Sequence, residues 1–184
     1  MCNSGLTDGK PFSTTIRTAN YFYTGADRLD ITVKYAEEHP EYLGACLAPT
    51  WEMVGGIKHW FYRNEEERLT WANLTDTAEY SKVLERLNKW KSNRPITAQE
   101  YTDQYLTLLR FRYARNPKPF IEIASMESVT MVCYCAGGML QYCHRALAIE
   151  PVSKVAEHLH RIPVILGEAP AALKTVFKTG EGRP

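Results

Sequence analysis

Three cysteines, a histidine and an arginine lie close together in the segment VTMVCYCAGGMLQYCHRAL. These residues are Cys133, Cys135, Cys143, His144 and Arg145. Thiolates act as nucleophiles and metal ligands, and imidazole transfers protons near neutral pH. A guanidinium can bind an anion through two N–H groups at once. The combination predicts a functional site in this segment.

The elements expected around this cluster are a strand, a loop and a helix. Residues 129–135 form a short apolar run that is typical of a strand buried on both faces of a parallel sheet. Gly137 and Gly138 predict a loop, and a helix is expected over residues 142–161, with a kink or a new start at Pro151. Ligands of open α/β sheets bind where a strand ends and the next helix begins.

Cys143 is the candidate nucleophile of the cluster. At the start of a helix, the macrodipole and the unpaired amides favour a thiolate, and His144 and Arg145 add to this effect. Side chains of a strand alternate between its faces, so Cys133 and Cys135 are expected to point the same way. Cys135 would lie at the rim of the sheet, while Cys133 would lie deeper, where packing alone can explain a cysteine.

Arg145, Gly137 and Gly138 have the properties of an anion site. They supply a guanidinium, a flexible backbone and a helix N-terminus. The spacing is not that of the phosphatase loop, because Cys135 is too far from Arg145 and Cys143 is too near. We therefore expect binding of an anion such as phosphate, without phosphatase chemistry.

The same residues offer two alternatives. Cys133, Cys135, Cys143 and His144 carry the ligands that zinc or iron prefers, although structural zinc sites usually combine two cysteine knuckles and this chain has one compact cluster. A reversible disulfide between Cys135 and Cys143 is the other alternative.

The composition excludes strong attraction to polyanions. Lys and Arg total 22 and Asp and Glu total 21, so the formal net charge is +1 and nucleic acid binding would need a local patch. Basic residues interleaved with Phe111 and Tyr113 could form such a patch, but we favour the explanation that cations are stabilised at a helix C-terminus and on its outer face. The basic residues are Arg110, Arg112, Arg115 and Lys118.

The chain lacks a long apolar segment and an apolar leader, so we expect a cytoplasmic protein with no membrane contact. We expect a flexible leader at 1–13, one α/β domain at 14–170 and a tail at 171–184. The domain would be Rossmann-like, with a mainly parallel sheet, flanking helices and a helical insertion at 61–93. The oligomeric state does not follow from the sequence.

The pattern predicts the following elements. The expected strands cover 14–23, 29–35, 43–49, 129–135 and 162–168, and the expected helices cover parts of 51–62, 64–91, 98–115, 119–125 and 142–161. The helix at 98–115 has the strongest signals, because Thr97 and Glu100 form a capping-box pair in front of residues at helical spacing.

Several motifs together resemble the domain of unknown function 488 family, whose relatives occur in bacteria and their phages. The motifs are DRLDITVK at 27–34, APTWEMV at 48–54, a tyrosine pair at helical spacing, and the cysteine strand followed by CHR, and they span about residues 14–160. The resemblance implies a compact α/β fold. It singles out Arg28, Asp30, Pro49, Thr50, Trp51, Lys58, Tyr101, Tyr105, Cys133, Cys135, Cys143, His144 and Arg145. The charged segment 61–93 and Pro151 depart from the family pattern.

These observations favour a thiol-dependent enzyme that acts on a small anionic substrate, such as a nucleotide or a nucleic-acid base. Cys143 would be the nucleophile or acid and His144 its proton partner, and Cys135 is a further catalytic candidate. The ligand-binding residues would be Arg145 and Lys58 as an anion clamp, Trp51 or Tyr105 as a stacking surface, and Tyr101, Arg28, Asp30, Gly137 and Gly138. One alternative is a non-catalytic protein that sequesters a nucleotide-like ligand, as a phage-encoded protein could. The other is a metal-binding protein that uses the cysteine cluster for zinc or iron.

Overall fold

The computed structural model describes residues 12–134 and 143–168. Four strands lie in these ranges, namely β1 (Ser13–Asn20), β2 (Arg28–Asp30), β3 (Ser128–Cys133) and β4 (Ile162–Glu168). They form one sheet in the order β2-β3-β1-β4, and every neighbouring pair is parallel. The prediction of an α/β domain on a parallel sheet is confirmed.

Seven α-helices accompany the sheet in the described ranges. They are α1 (Val33–Glu38), α2 (Trp51–Trp71), α3 (Ala78–Trp90), α4 (Ala98–Arg115), α5 (Lys118–Ala124), α6 (His144–Leu147) and α7 (Ile149–His158). No helix of the described ranges combines the length and the apolar composition of a membrane span.

The hydrophobic core joins the central strands to the helices. Ile16 of β1 and Val129 of β3 are fully buried and belong to one cluster with Leu109 of α4, Ile123 of α5 and Val152 of α7. Burying an aliphatic side chain of this size contributes about 1.5–3 kcal/mol to stability. The apolar run at 129–132 is buried throughout, as expected for an inner strand.

Local capping explains why α4 has the bounds expected from sequence. The Thr97 hydroxyl accepts a hydrogen bond from the Glu100 amide, and the Glu100 carboxylate accepts one from the Thr97 amide at 2.8 Å. The amides of Thr97 and Glu100, which have no partner within the helix, are therefore both hydrogen-bonded locally.

The helices at 51–71 and 78–90 differ from the expected helix at 64–91. α2 continues through Gly55 and Gly56, where a looser backbone was expected. A Cβ at Gly56 would lie 2.9 Å from the Arg94 carbonyl oxygen, so these glycines serve close packing against the segment before α4. Asn73, at φ 55°, lies in the turn between α2 and α3.

The expected strand at 43–49 is wrong, because residues Leu43–Leu47 form a 3-10 helix. Arg112 of α4 donates hydrogen bonds to the carbonyl groups of Ala45, Cys46 and Ala48. Because one guanidinium binds these carbonyls, the segment does not have to pair with a neighbouring strand.

Two further elements are shorter than expected. β2 ends at Asp30, because the Thr32 side chain caps α1 and helical structure begins at Val33. The expected helix at 142–161 is divided into α6 and α7. Pro151 lies in the first turn of α7, where a missing N–H breaks no helical hydrogen bond.

Asp27 connects the loop after β1 to β3. Its carboxylate accepts hydrogen bonds from the hydroxyl groups of Ser128 at 2.6 Å, Thr130 at 2.8 Å and Tyr23 at 2.6 Å. Burial acts to raise the pKa of Asp27, but these hydrogen bonds outweigh it and hold the pKa below the ordinary 3.8. The ionised carboxylate therefore stabilises the position of β2 beside β3.

We expect Asp27→Asn to lower the free energy of unfolding by about 1–2 kcal/mol at pH 7, because three hydroxyl donors lose a charged acceptor. A carboxylate with a lowered folded-state pKa stabilises the protein fully above about pH 4, and this contribution is lost as the pH falls through that pKa. Urea unfolding at pH 7 and pH 3 should show a smaller difference at pH 3. Asp76→Asn, at an exposed position, is the matched control. If Asp27→Asn lowers the free energy of unfolding by the same amount at pH 7 and pH 3, the charge of Asp27 does not stabilise the fold.

Candidate functional site

Two sulfur atoms meet at the carboxyl edge of the sheet. The sulfur of Cys133, the last residue of β3, lies 2.8 Å from the sulfur of Cys143, which immediately precedes α6. Both side chains are only 1% exposed. Either sulfur can donate its hydrogen to the other, so a thiolate on one residue would be stabilised by the thiol of its partner.

His144 lies beside the sulfur pair, and its surroundings define its tautomer. Nε2 is 3.0 Å from the carbonyl oxygen of Ile31, just after β2. A carbonyl can only accept a hydrogen bond, so Nε2 carries the proton in the neutral ring and Nδ1 is the basic nitrogen. His144 is buried, and one of its ring nitrogens lies within 4.8 Å of both sulfurs.

Arg145 brings a positive charge to the same region. It is 2% exposed, and its Nη1 donates a 2.6 Å hydrogen bond to the carbonyl oxygen of Ala19 near the end of β1. A buried guanidinium favours negative charge nearby, whether on a thiolate or on an anionic ligand. The structure thus brings Cys143, His144 and Arg145 together.

The helix after Cys143 is short. The expected helix start is confirmed, but α6 comprises only His144–Leu147, and Cys143 makes no side-chain capping bond. Four peptide units provide a small dipole, so the helix contributes less to a thiolate than the sequence suggested. Any stabilisation of negative charge on Cys143 must therefore come largely from side chains around it, among them Cys133 and His144.

Tyr105 supports the site from the core. Its hydroxyl donates a 2.6 Å hydrogen bond to the Leu47 carbonyl, and its ring centroid is 5.9 Å from that of His144. Burial first, and then the nearby Cys143, raise the pKa of Tyr105 well above the ordinary 10, so it stays a neutral donor. Tyr101 stacks parallel to it at 6.2 Å. Both rings are almost completely buried and offer no face to a ligand.

The residues Arg28 and Asp30, suggested by the family resemblance, lie on β2 at the same edge of the sheet. Arg28 donates to the carbonyl groups of Tyr21 and Tyr23, and its Nη2 lies 3.1 Å from the Asp30 carboxylate. The other Asp30 oxygen accepts bonds from the amide and the hydroxyl of Thr32. This pair therefore holds the loop after β1 against β2.

Lys58 and Trp51 contact residues that do not belong to the cysteine cluster. The Lys58 ammonium lies 4.7 Å from the ring centroid of Trp90 on α3. The Trp51 indole donates a 2.8 Å hydrogen bond to Glu37. Trp51 lines a cavity of about 1200 Å³ whose described lining includes Phe111 but none of the cysteine cluster.

Cys46 also lines this cavity of about 1200 Å³, apart from the sulfur pair of Cys133 and Cys143. Burial raises the pKa of Cys46 to about 12, so it stays a thiol at neutral pH. Cys135, Gly137 and Gly138 lie outside the described residues, and their expected roles stay predictions.

The three buried side chains also fit part of a metal site. Cys133, Cys143 and His144 place one ligand atom each within 4.8 Å of one another. The Nε2 bond to a backbone carbonyl is the arrangement that orients metal-bound imidazoles, with Nδ1 as the ligand. Two thiolates on a tetrahedral zinc ion lie about 3.8 Å apart, so these sulfurs would have to separate by about 1 Å.

Sequence reasoning missed Tyr21, Tyr134 and Asp27. The two tyrosines stack directly beyond the ends of β1 and β3. Their pairing depends on which strands are neighbours, and only the tyrosine-rich composition near β1 hinted at it.

No known protein family, curated protein or solved structure matches this chain. The resemblance to the domain of unknown function 488 family therefore stays a prediction.

Proposed function

We propose that this protein is a thiol-dependent enzyme in which Cys143 is the nucleophile, Cys133 its hydrogen-bonding partner and His144 the proton acceptor. The observation that carries the proposal is the 2.8 Å contact between two buried sulfurs beside a buried imidazole. This pairing differs from the sequence-based hypothesis, in which Cys135 was the partner of Cys143.

The chemistry follows from the charge balance around Cys143. An ordinary cysteine has a pKa of about 8.5 and is mostly protonated at neutral pH. The thiol of Cys133 can donate to a thiolate, Nδ1 of His144 can take up the displaced proton, and the Arg145 guanidinium favours the negative charge. Burial of Cys143 opposes its ionisation, as it does at Cys46, and these three groups act against that effect, in the direction of a reactive Cys143.

The proposed substrate is small and anionic, such as a nucleotide. Support comes from Arg145, whose buried charge lies two residues after Cys143, and from the position of the site at the carboxyl edge of a parallel sheet. A negatively charged substrate would be attracted to the guanidinium of Arg145.

Cys143 is 1% exposed, so iodoacetamide reaches it only through local opening, and we expect it to be modified at pH 7 faster than Cys46. His144→Gln retains an N–H group for the Ile31 carbonyl but removes the base, so we expect the alkylation rate to fall by about tenfold, equal to one pKa unit. At pH 10 the rates should converge, because the thiol then ionises without assistance. Chymotrypsin cuts after Tyr134 and Tyr142, so peptide mass spectrometry can assign each label.

Cys46 is the internal control for this experiment, because its raised pKa should keep it unlabelled in the folded chain. Equal labelling of Cys46 and Cys143, or an unlabelled Cys143, would contradict the proposal. Selective labelling of Cys143 without turnover of any anionic substrate would favour the alternative of a non-catalytic binder.

A metal centre is the second candidate function, because ligand atoms of Cys133, Cys143 and His144 lie within 4.8 Å of one another. These residues would supply two thiolates and one imidazole, and the remaining position of a tetrahedral ion would accept water or a substrate. Such an ion would act on a bound water or a substrate oxygen as a Lewis acid.

Elemental analysis of the purified chain tests this second candidate. A metal centre predicts about one zinc or iron ion per chain, lost in Cys133→Ser and in Cys143→Ser, which remove one of the three ligands. Cys46→Ser should retain the metal, because Cys46 is not part of the cluster. A metal-free wild-type chain that stays metal-free after incubation with zinc would exclude the metal centre and leave the thiol pair.

A further inference from the structure

Two tyrosine rings stack at the carboxyl edge, directly beyond the central strands. Tyr21 follows Asn20 of β1, Tyr134 follows Cys133 of β3, and the parallel register pairs Asn20 with Cys133. The ring centroids are 3.6 Å apart and the ring planes differ by 19°. The stack is therefore a direct product of strand pairing.

Arg28 holds the inner ring of this stack in place. Its guanidinium carbon lies 4.7 Å over the Tyr21 ring, and Tyr134 stacks on the same ring. Tyr21 therefore contacts both Arg28 and Tyr134. Arg28 is itself anchored to Asp30 and to the carbonyl of Tyr21. The outer ring thus rests on an ordered support.

Tyr134 presents its second face to solvent. The residue is 59% exposed although Tyr21 covers one face of its ring. A side-chain hydrogen bond with Tyr21 raises the pKa of Tyr134 to about 12, so the phenol is neutral at physiological pH. A neutral, exposed and supported aromatic face suits stacking by another planar ring.

The stack lies where the topology of the sheet places a ligand site. The connection after β1 leads to β2 at one edge of the sheet, and the connection after β3 leads to β4 at the other. Open α/β sheets bind ligands beyond the carboxyl ends of their strands. Tyr21 and Tyr134 border this position, one residue beyond Asn20 and Cys133.

We propose that the exposed face of Tyr134 stacks against a planar heteroaromatic group of the substrate, as carried by the base of a nucleotide. This inference rests on the proposed function, because it names the substrate class of the site built on Cys133 and Cys143. An aromatic side chain accepts any base, since every base has a π-face. Substrates with the same anionic group but no aromatic ring would lack this contact.

The test is a binding titration on the full chain with AMP and with ribose 5-phosphate, which has the same sugar and phosphate but no base. We expect AMP to bind at least tenfold more tightly, measured by calorimetry, with saturation transfer from the protein to the adenine protons in NMR spectra. Tyr134→Ala should weaken AMP binding by about tenfold and leave ribose 5-phosphate unchanged. Tyr134→Phe keeps the ring and should bind AMP within about twofold of the wild type.

Trp71→Ala is the matched control, because Trp71 is 86% exposed at the end of α2. It should bind AMP as the wild type does. Equal affinity for the two ligands, no binding of AMP, or unchanged AMP affinity in Tyr134→Ala would each overturn the inference. A change of oligomeric state in Tyr134→Ala without an effect on AMP would identify the ring as a protein contact and would also overturn it.

The experiments distinguish failure of the stacking inference from failure of the proposed thiol mechanism. AMP binding that survives in Cys143→Ser and is weakened about tenfold in Tyr134→Ala supports stacking, whatever the alkylation of Cys143 shows. Selective alkylation of Cys143 combined with no binding of AMP leaves the thiol mechanism standing and removes the aromatic substrate.

Discussion

The parallel pairing of β1 with β3 is the interaction on which the site depends. It sets Asn20 opposite Cys133, so the loop after β1 and the cysteine segment after β3 emerge side by side. The sulfur of Cys143 then meets Cys133, and the ring of Tyr134 stacks on the loop after β1. A register shift by one residue would turn Cys133 to the other face of the sheet and separate the sulfurs.

Arginines in this fold satisfy backbone carbonyls that regular secondary structure leaves unpaired. Arg112 binds three carbonyls of the segment around the 3-10 helix, Arg28 binds the loop after β1, and Arg145 binds Ala19 at the end of β1. Two of these guanidiniums, Arg28 and Arg145, lie at the carboxyl edge. Arg28 is paired with Asp30, so the attraction of the proposed anionic substrate to this edge depends on Arg145.

Sequence alone predicted the elements whose signals are local. The capping box of Thr97 and Glu100 gave the start of α4, and the apolar run at 129–133 gave the buried strand β3. The segment 43–49 was misassigned, because the hydrogen bonds that shape it come from Arg112, more than sixty residues away. The pairing of sulfurs was beyond prediction as well. Alternation along a strand gives the face of Cys133 but not its distance from Cys143, which lies ten residues further along the chain.

Disulfide mapping tests the sulfur contact most directly. Diamide removes two hydrogens from neighbouring thiols, and it is itself reduced to the hydrazine as the disulfide forms. Chymotryptic cleavage after Tyr134 and Tyr142 separates Cys133, Cys135 and Cys143 into different peptides. The structure predicts that brief oxidation of the folded chain yields mainly the Cys133–Cys143 disulfide, and that the preference disappears in urea. A Cys135–Cys143 product in the folded chain, or no preferred pair, would contradict the site.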